Sequence, residues 1–474
     1  MHFFNCDHVK TRFSPSPTGL MHLGNARTAL FSALLAKKMQ GTFLLRIEDT
    51  DPERSKQEYA NLLMSDLTWM GLHWQEGPDY QSKRQAIYDD YYERLAVEGM
   101  SFPCFCSEDE LSLARKLQQA SGKPPRYPGT CRQLSEQQTE DKLAQGQLPV
   151  LRFKVLEDEI IEYTDFVRGP QKFNSNDIGD FVIRRSDGTS PFVFCNAIDD
   201  ALMKVTHVMR GEDHVANTPR QLMVLEALGL KAPHYGHISL ITGQDGSPLS
   251  KRNGSRSIEE LRLEGYLPEA VINYLARLGH YYGHDDLLSF DQLAEQFTIE
   301  KLSKSPAKFN AEQLDYWQKE AVNNLESHLL WDWLQQKEQV LIPQQHKQAF
   351  FQMIKPNIRH PKELQHWVHV IFNGLPEFNL EQKAICQDAG AVYFNAALEA
   401  LNLYGRDYKK IMAHIAEATG AKGKKLYQPL RLALTGELHG PELAELLLLL
   451  EIDEIKSRLQ KAMSKVEKEG MIRR

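Results

Sequence analysis

Hydrophobic and polar positions divide the first part of the chain into a strand, a helix and a second strand. In HVKTRFS, residues 8–14, apolar and polar side chains alternate with the period of a strand. Residues 26–34 repeat alanine and leucine at helical spacing, and Gly41 is expected to end that helix. TFLLRIED, residues 42–49, has the pattern of a buried strand. This unit predicts parallel strands joined by a right-handed crossover, whose ligands bind beyond the carboxyl ends of the strands.

The pattern changes twice further along the chain. Residues 81–190 break the rhythm of strands and helices, and we expect an inserted domain there, between two parts of one parallel-sheet domain at 1–80 and 191–254. After that domain, apolar residues recur at helical spacing through leucine-rich segments. We therefore predict an α/β fold followed by helical domains at 255–318 and 319–474.

Length, composition and charge narrow the class of protein. A chain of 474 residues is too long for one hydrophobic core, and 42% hydrophobic with 25% charged residues is typical of folded proteins. No apolar run approaches the ~20 residues that a bilayer span needs, and MHFFNCDHVK lacks the pattern of a secretory signal, so we expect a cytoplasmic protein without a membrane partner. The net charge of −7 weakly disfavours a nucleic-acid partner and leaves such contacts to local basic patches.

A corner rich in proline and glycine, SPSPTGLMHLGNAR at residues 14–27, joins the first strand to the first helix. Free backbone N–H groups at a helix N-terminus form a ready site for phosphate, and glycine lets the phosphate approach closely. His22 and Gly24 lie in this corner, where a histidine donor can follow charge that develops on a phosphoryl oxygen. The alternative is that His22 only caps the loop, and the residue types alone favour that alternative.

Two segments carry a specific resemblance to a known family. SPSPTGLMHLGNARTALF has HLGN, residues 22–25, where class I aminoacyl-tRNA synthetases carry their HIGH signature, and LLRIEDTDPERS follows it. With both segments the chain resembles the bacterial glutamyl-tRNA synthetases. The resemblance implies a Rossmann-like catalytic domain, an inserted acceptor-binding domain, and helical stem-contact and anticodon-binding domains. It also implies activation of L-glutamate by ATP with Mg²⁺, followed by transfer to the 3′ end of tRNA(Glu).

The resemblance assigns site residues position by position, with His22, Gly24 and Lys251 as the catalytic residues. The ATP site is expected to contain Thr18, Gly19, His22, Gly24, Glu212, Asp213, Ser250, Lys251 and Arg252. The glutamate site is expected to contain Arg12, Ser14, Ser16, Glu48, Phe192, Asn196 and Arg210. Contacts with tRNA are expected from Asp51, Arg54, Lys424, Lys425 and Arg431. Arginines suit the amino-acid site because glutamate carries two carboxylates, which guanidinium groups bind in fork geometry.

Some of these positions have a structural alternative or depart from the family pattern. Asp51 precedes Pro52 in TDPERS, which also resembles a helix start. DGSPLSKRNGSRS, residues 245–257, is similar to the KMSKS loop of the family and would place Lys251 on the leaving pyrophosphate; its alternative is a solvated surface loop. Pro248 replaces the first lysine of that pattern, and Phe192 stands where the family usually has tyrosine.

Three cysteines, Cys104, Cys106 and Cys131, lie in one short region. In a reducing compartment such spacing favours zinc over a disulfide, with small buried cysteines as the alternative. Some members of the family have a histidine two residues after the third cysteine, where this chain has Gln133. Related glutamate enzymes have a tyrosine four residues before it, which matches Tyr127. The resemblance therefore implies a structural Zn²⁺ held by the three cysteines and Tyr127.

The last part of the chain contains a basic and aromatic segment, GAKGKKLYQPLRLALTG at residues 420–436. Lysine, arginine and tyrosine together suit contacts with RNA phosphates and bases, although a helical C-terminal half can also be plain scaffold. The predicted function is a glutamate–tRNA ligase that acts as a monomer. A tRNA-modifying glutamyl transferase and a non-catalytic tRNA-binding protein remain as alternatives, and whether tRNA(Gln) is also charged stays open.

Overall fold

The computed structural model describes residues 8–122, 124–247, 249 and 256–470, the last six of them as backbone only. The chain divides into two compact units. The first comprises Met1–Leu263 and Pro268–Leu314, and the second comprises Glu264–Leu267 and Asp315–Arg474. Among the described residues, no helix is long and apolar enough to cross a membrane.

The first unit begins with alternating strands and helices. In chain order these are β1 (Lys10–Phe13), α1 (Leu23–Lys38), β2 (Thr42–Ile47), α2 (Gln57–Trp69), β3 (Glu76–Tyr80) and α3 (Gln85–Val97). β1 pairs in parallel with β2, with Lys10 opposite Thr42, and β2 pairs in parallel with β3. The predicted crossover of strand, helix and strand is thus confirmed. The periodic alanines and leucines of α1 are buried, because the helix packs on the sheet on one side and on later helices on the other.

Two local predictions in this segment need correction. α1 ends at Lys38, before Gly41, and the glycine serves a close approach instead: a Cβ there would lie 2.0 Å from the carbonyl oxygen of Val9. The alternative of a helix start at Pro52 does not hold, since α2 begins at Gln57. Residues 52–54 form a turn, because the Asp51 carboxylate accepts the backbone N–H of Arg54 at 3.2 Å and its Nε at 2.7 Å.

The segment after α3 forms small antiparallel sheets, which explains its break in rhythm. Its elements are β4 (Ser101–Cys104), α4 (Glu108–Ala120), α5 (Glu136–Ala144), β5 (Val150–Phe153), β6 (Ile160–Asp165), β7 (Gly169–Asn174), α6 (Ser175–Ile178) and β8 (Phe181–Arg184). β4, β5 and β8 make one antiparallel sheet, and β6 with β7 makes a hairpin.

The chain then returns to the parallel sheet. The next elements are α7 (Phe192–Leu202), β9 (His207–Gly211), α8 (Thr218–Ala227), β10 (His234–Ile238) and β11 (Ile241–Thr242). The complete sheet is parallel, with strand order β10-β9-β1-β2-β3. After it come α9 (Ile258–Glu264), α10 (Pro268–Arg277), α11 (Phe290–Gln296), β12 (Ala307–Lys308) and α12 (Ala311–Asn324). Gly265, with φ of +89°, and Pro268 separate α9 from α10.

The second unit is helical throughout its described residues, as predicted. It contains α13 (Gln336–Gln339), α14 (Lys347–Ile354), α15 (Pro361–Phe372), α16 (Leu380–Tyr404), α17 (Tyr408–Thr419), α18 (Lys424–Thr435), α19 (Leu443–Leu449) and α20 (Ile452–Gly470). Gly390, with φ of +71°, bends α16. The helices bury a common core that includes Phe350, Leu364, Phe394 and Leu430. Arg458 is buried there because its guanidinium donates to the carbonyl oxygens of Leu434 and Ile371.

Candidate active site

A cavity of about 420 Å³ lies at the carboxyl ends of the parallel strands. The segments that line it follow these strands directly: Ser14, Pro15 and Ser16 after β1, Glu48 after β2, Asp213 and His214 after β9, and Leu240 after β10. The N-terminus of α1 forms another part of the wall. This is the edge where sheets of this topology bind ligands, because loops and helix N-termini converge there.

Most residues assigned to the ATP and glutamate sites meet at this cavity. The predicted residues that line it are Arg12, Ser14, Ser16, Thr18, His22, Gly24, Glu48, Phe192, Arg210 and Asp213. Gly19, Asn196 and Glu212 do not line it. Ser250, Lys251 and Arg252 lie outside the described residues, as does Pro248. Asn25, Arg27 and Thr28 line the cavity although the sequence analysis did not select them.

His22 caps helix α1. Its Nδ1 accepts the backbone N–H of Gly24 at 3.2 Å and that of Asn25 at 3.3 Å. An imidazole whose Nδ1 accepts these bonds carries its proton on Nε2, which leaves Nε2 as a donor. A Cβ on Gly24 would lie 3.1 Å from the imidazole ring, so glycine leaves room for the ring in this position. The capping alternative is therefore correct as a description of Nδ1, and it leaves Nε2 for a ligand.

Glu48 and Asn196 connect the cavity to a buried network of charges. The Asn196 side-chain amide donates to the Glu48 carboxylate at 3.3 Å, and its carbonyl oxygen accepts from Arg46 at 2.7 Å. Arg46 also pairs with Asp200 at 2.7 Å, and Asp200 lies 3.4 Å from Nε of Arg12. Burial raises the pKa of Glu48 to about 7, although Asn196 and Arg46 favour the carboxylate. Asn196 thus positions Glu48 by a hydrogen bond to its carboxylate.

Among the described residues that line the cavity, three buried side-chain donor atoms have no hydrogen-bond partner. They are Oγ of Ser14, Nε of Arg27 and Nη1 of Arg210. Burial lowers the pKa of Arg210 to about 10, and the neighbouring Arg12 acts in the same direction. Buried donors without partners are costly, so a ligand with acceptor oxygens would satisfy them. A carboxylate supplies such oxygens together with the opposite charge.

Glu212 of the proposed ATP site and Phe192 of the proposed glutamate site take part in local contacts. Glu212 pairs with Arg168 and accepts the backbone N–H of Leu240 at 3.0 Å. The ring of Phe192 lies 5.0 Å from that of His214, measured between centroids. Burial and the nearby Arg210 lower the pKa of His214 to about 4, so it is neutral near pH 7.

Arg27 lines the cavity and was missed by the sequence analysis. It is buried on α1, where Nη1 donates to the carbonyl oxygen of Leu278 at 2.9 Å and Nη2 donates to that of Ser239. The sequence signal for Arg27 was its position at the end of SPSPTGLMHLGNAR, residues 14–27. A buried arginine one turn after a helix N-terminus needs specific hydrogen-bond acceptors.

The residues assigned to tRNA lie in both units. Asp51 and Arg54 pair with one another in the turn after β2. Lys424 and Lys425 are exposed at the start of α18, where Lys425 pairs with Asp388 at 2.9 Å. Arg431 is half-buried and donates to the carbonyl oxygen of Pro441 at 2.8 Å. The two lysines are therefore more accessible than Arg431.

The three cysteines of the inserted segment converge. Their Sγ atoms lie within 4.8 Å of one another, and those of Cys106 and Cys131 are 3.7 Å apart. The hydroxyl of Tyr127 lies 3.3 Å from Sγ of Cys104 and accepts the backbone N–H of Cys131 at 2.8 Å. Thiolates that share a tetrahedral zinc at ~2.3 Å lie roughly 3.8 Å apart, so the geometry fits zinc.

Fold and cavity together define a class I synthetase, and comparisons with known proteins agree. The family described as "tRNA synthetases class I (E and Q), catalytic domain" matches residues 8–316, and the one described as "Anticodon binding domain" matches residues 311–463. The chain belongs to the class I tRNA synthetases of this E and Q family.

Similar proteins within the family carry a more specific name. "Glutamate–tRNA ligase 1" of Coxiella burnetii (strain CbuG_Q212) is 57% identical over 464 residues, which cover 96% of this chain and 99% of the relative. A "Glutamate–tRNA ligase 2" of Nitrosococcus oceani is 51% identical over 460 residues, covering 95% and 98%. The crystal structure of a glutamate tRNA ligase from Elizabethkingia meningosepticum, in complex with its amino acid, superposes with a TM-score of 0.85 at 30% identity, covering 97% of this chain and 100% of the other.

Proposed function

We propose that the chain is a glutamate–tRNA ligase. It activates L-glutamate with ATP and transfers the glutamyl group to tRNA(Glu), releasing AMP and pyrophosphate. The observation that carries the proposal is the charge pattern of the cavity: Arg12 and the free Nη1 of Arg210 offer positive charge, and Glu48 offers negative charge. This pattern is complementary to an amino acid with a second carboxylate. The names of the relatives supply the same substrate.

Activation needs a site for triphosphate next to the amino acid. The N-terminus of α1 lines the cavity with the positive end of its helix dipole, which favours a phosphate there, while the backbone N–H groups of Gly24 and Asn25 bond to Nδ1 of His22. Nε2 of His22 donates to the phosphoryl oxygen on which charge develops as the glutamate carboxylate attacks the α-phosphorus. Thr18 and Gly19 shape the approach to this helix, and Glu212 and Asp213 border it. Mg²⁺ bound together with ATP would neutralise the charge of its phosphate oxygens.

Lys251, with Ser250 and Arg252, completes the proposed ATP site. These residues lie outside the described part of the chain, and their role rests on the similarity of DGSPLSKRNGSRS to the loop of the family. A lysine places a compact positive charge on the leaving pyrophosphate. The substitution at Pro248 leaves one charge fewer there.

Transfer completes the reaction on tRNA. We propose that Asp51 and Arg54 contact its 3′ end, that the segment 81–190 binds its acceptor arm, and that 255–318 contacts its stem. Residues 319–474, with Lys424, Lys425 and Arg431, then contact the anticodon. A match to an anticodon-binding domain supports this division over a tRNA-modifying transferase without such a domain. A monomer and a cytoplasmic location belong to the same proposal.

Zinc is the proposed structural ion of the inserted segment. Cys104, Cys106 and Cys131 supply three thiolates, and the Tyr127 hydroxyl lies where it can complete the set. The ion would clamp residues 104–131 and would take no part in the reaction.

The experiment that tests the activation step is the charging of tRNA(Glu) with labelled glutamate by wild type and by His22→Ala. We expect His22→Ala to lower kcat about a hundredfold or more, since it removes a donor to the transition state. The matched control is His284→Ala, because His284 is exposed and lies 3.2 Å from Asp286 and 3.1 Å from Gln296, neither of which lines the cavity. Equal rates for wild type and His22→Ala would refute the proposed role of His22.

A further inference from the structure

Buried side chains hold the guanidinium of Arg210 in place through hydrogen bonds. Its Nε donates to Nε2 of His237 at 3.1 Å, and its Nη2 donates to Oγ1 of Thr218 at 2.8 Å. On the other side of the imidazole, Nδ1 of His237 lies 2.5 Å from Oδ2 of Asp165. Thr218 and His237 are 0% exposed and Asp165 is 1% exposed, so water does not compete for these bonds.

The positions of the protons in this hydrogen-bonded series follow from the groups at its two ends, Arg210 and Asp165. An arginine has only donors, so Nε2 of His237 must accept. The imidazole proton therefore lies on Nδ1, from which it is donated to the Asp165 carboxylate. Burial disfavours that carboxylate, but the bond from His237 and the backbone N–H groups of Arg168 and Val167 outweigh burial and keep its pKa below the usual range. In this series every hydrogen bond is donated in the same direction, from Arg210 to His237 and from His237 to Asp165.

Asp165 comes from a different part of the chain than its partners. It ends β6 of the inserted segment, whereas Arg210 and His237 lie on β9 and β10 of the parallel sheet. The turn after β6 packs against β10, because the backbone N–H of Phe166 donates to the carbonyl oxygen of Tyr235 at 2.9 Å. Gly236 permits this contact, since a Cβ there would lie 2.0 Å from the Phe166 ring.

We propose that Asp165, His237 and Thr218 are positioning residues for amino-acid specificity. They fix two nitrogens of the Arg210 guanidinium, and its third nitrogen, Nη1, stays free for a carboxylate oxygen of the substrate. A guanidinium held at two nitrogens cannot turn without losing both bonds, so its positive charge stays at one position. A neutral carboxamide at that position would accept only an ordinary hydrogen bond and would lose the charge-assisted bond of a carboxylate. The inserted segment thus contributes to the glutamate site as well as to tRNA binding. The inference rests on the proposed function, because it names the residues behind one wall of that site.

Asp165→Asn tests the direction of donation while keeping the shape of the side chain. Its carbonyl oxygen would keep the backbone bonds, and its NH₂ would then face His237 and donate to Nδ1. The imidazole proton would move to Nε2, where it would oppose the Nε–H of Arg210. We expect the KM for glutamate to rise at least about tenfold, the range for a lost hydrogen bond to a charged group, with the KM values for ATP and tRNA(Glu) within about twofold of wild type. The preference for glutamate over glutamine, as a ratio of kcat/KM values, should fall.

The matched control is Asp180→Asn. Asp180 is also a buried acid of the inserted segment, but it pairs with Arg132 at 2.7 Å and accepts the backbone N–H of Val155 at 2.9 Å, away from Arg210. Its glutamate KM should equal that of wild type. A glutamate KM unchanged in folded Asp165→Asn would overturn the proposal.

If Asp165→Asn does not fold, two variants of His237 test the proposed positioning of Arg210. His237→Gln keeps an acceptor for Nε of Arg210, whereas His237→Leu removes it. We expect the glutamate KM to increase from wild type to His237→Gln to His237→Leu, and equal values for the two variants would overturn the proposal. If wild type fails to charge tRNA(Glu) with glutamate in the same assay, the proposed function itself is wrong, and this inference falls with it.

Discussion

Glu48 stands at the end of β2, where its ionisation and the binding of substrate are coupled. Burial raises its pKa to about 7, so near neutral pH a large fraction of free enzyme carries the protonated, uncharged form. The positively charged ammonium group of a bound amino acid favours the ionised form of Glu48 over the protonated form. Since only the ionised form pairs with the ammonium, the affinity for glutamate should rise as the pH rises through neutrality.

We expect the KM for glutamate to fall about tenfold between about pH 6 and about pH 8, as the ionised fraction of Glu48 grows. His214 does not titrate in this window, because its pKa is lowered to about 4. Steady-state charging across this range measures the effect. Glu48→Gln should have a high KM that does not change with pH, and a wild-type KM that is independent of pH would contradict the coupling.

At the scale of residues, the sequence predicted single positions better than their partners. The quoted motifs led to Arg12, His22 and Glu48, which line the cavity. Asp165 and His237 carried no sequence signal, because they lie 72 residues apart and meet only when the turn after β6 packs on β10. The hydrogen bonds of His22 also needed coordinates, since the residue type alone favours a cap and does not show which ring nitrogen is left for a phosphate.

At the scale of elements, periodicity predicted the first strands and the first helix. β1, α1 and β2 lie where the pattern places them, although packing buries most of their positions on every side, Arg12 and Arg46 included. The alternative of a helix start at Pro52 does not hold, because Asp51 uses its carboxylate for a tight turn with Arg54. The TDPERS motif does not distinguish such a turn from a helix cap.

The cysteine cluster gives a prediction at the same scale. We expect about one zinc per chain in the purified protein by elemental analysis. Removal of the metal by a chelator should lower the thermal unfolding temperature, because the free energy of zinc binding to the clustered cysteines contributes to the stability of the folded state. Cys106→Ser and Cys131→Ser should lose zinc, whereas Cys386→Ser, in the helical unit, should retain it. Wild-type protein that contains no zinc would contradict this proposal.

At the scale of the whole molecule, the chain joins a parallel-sheet unit with a cavity to a helical unit. The family match of residues 8–316 and the anticodon-binding match of residues 311–463 meet close to the border between the two compact units. Composition alone predicted several domains but pointed weakly away from nucleic acid, because the net charge of −7 averages over local lysine-rich surfaces such as the start of α18. The tRNA partner came from motifs and relatives, and net charge gave no support for it.

The most direct test of the account is aminoacylation with labelled glutamate or labelled glutamine, on separate transcripts of tRNA(Glu) and tRNA(Gln). We predict that glutamate is attached to tRNA(Glu) in the presence of ATP and Mg²⁺ and that glutamine is attached to neither transcript. Attachment of glutamate to tRNA(Gln) as well would define a non-discriminating enzyme, and its absence a discriminating one. Failure to charge tRNA(Glu) with glutamate, or charging with glutamine, would contradict the account.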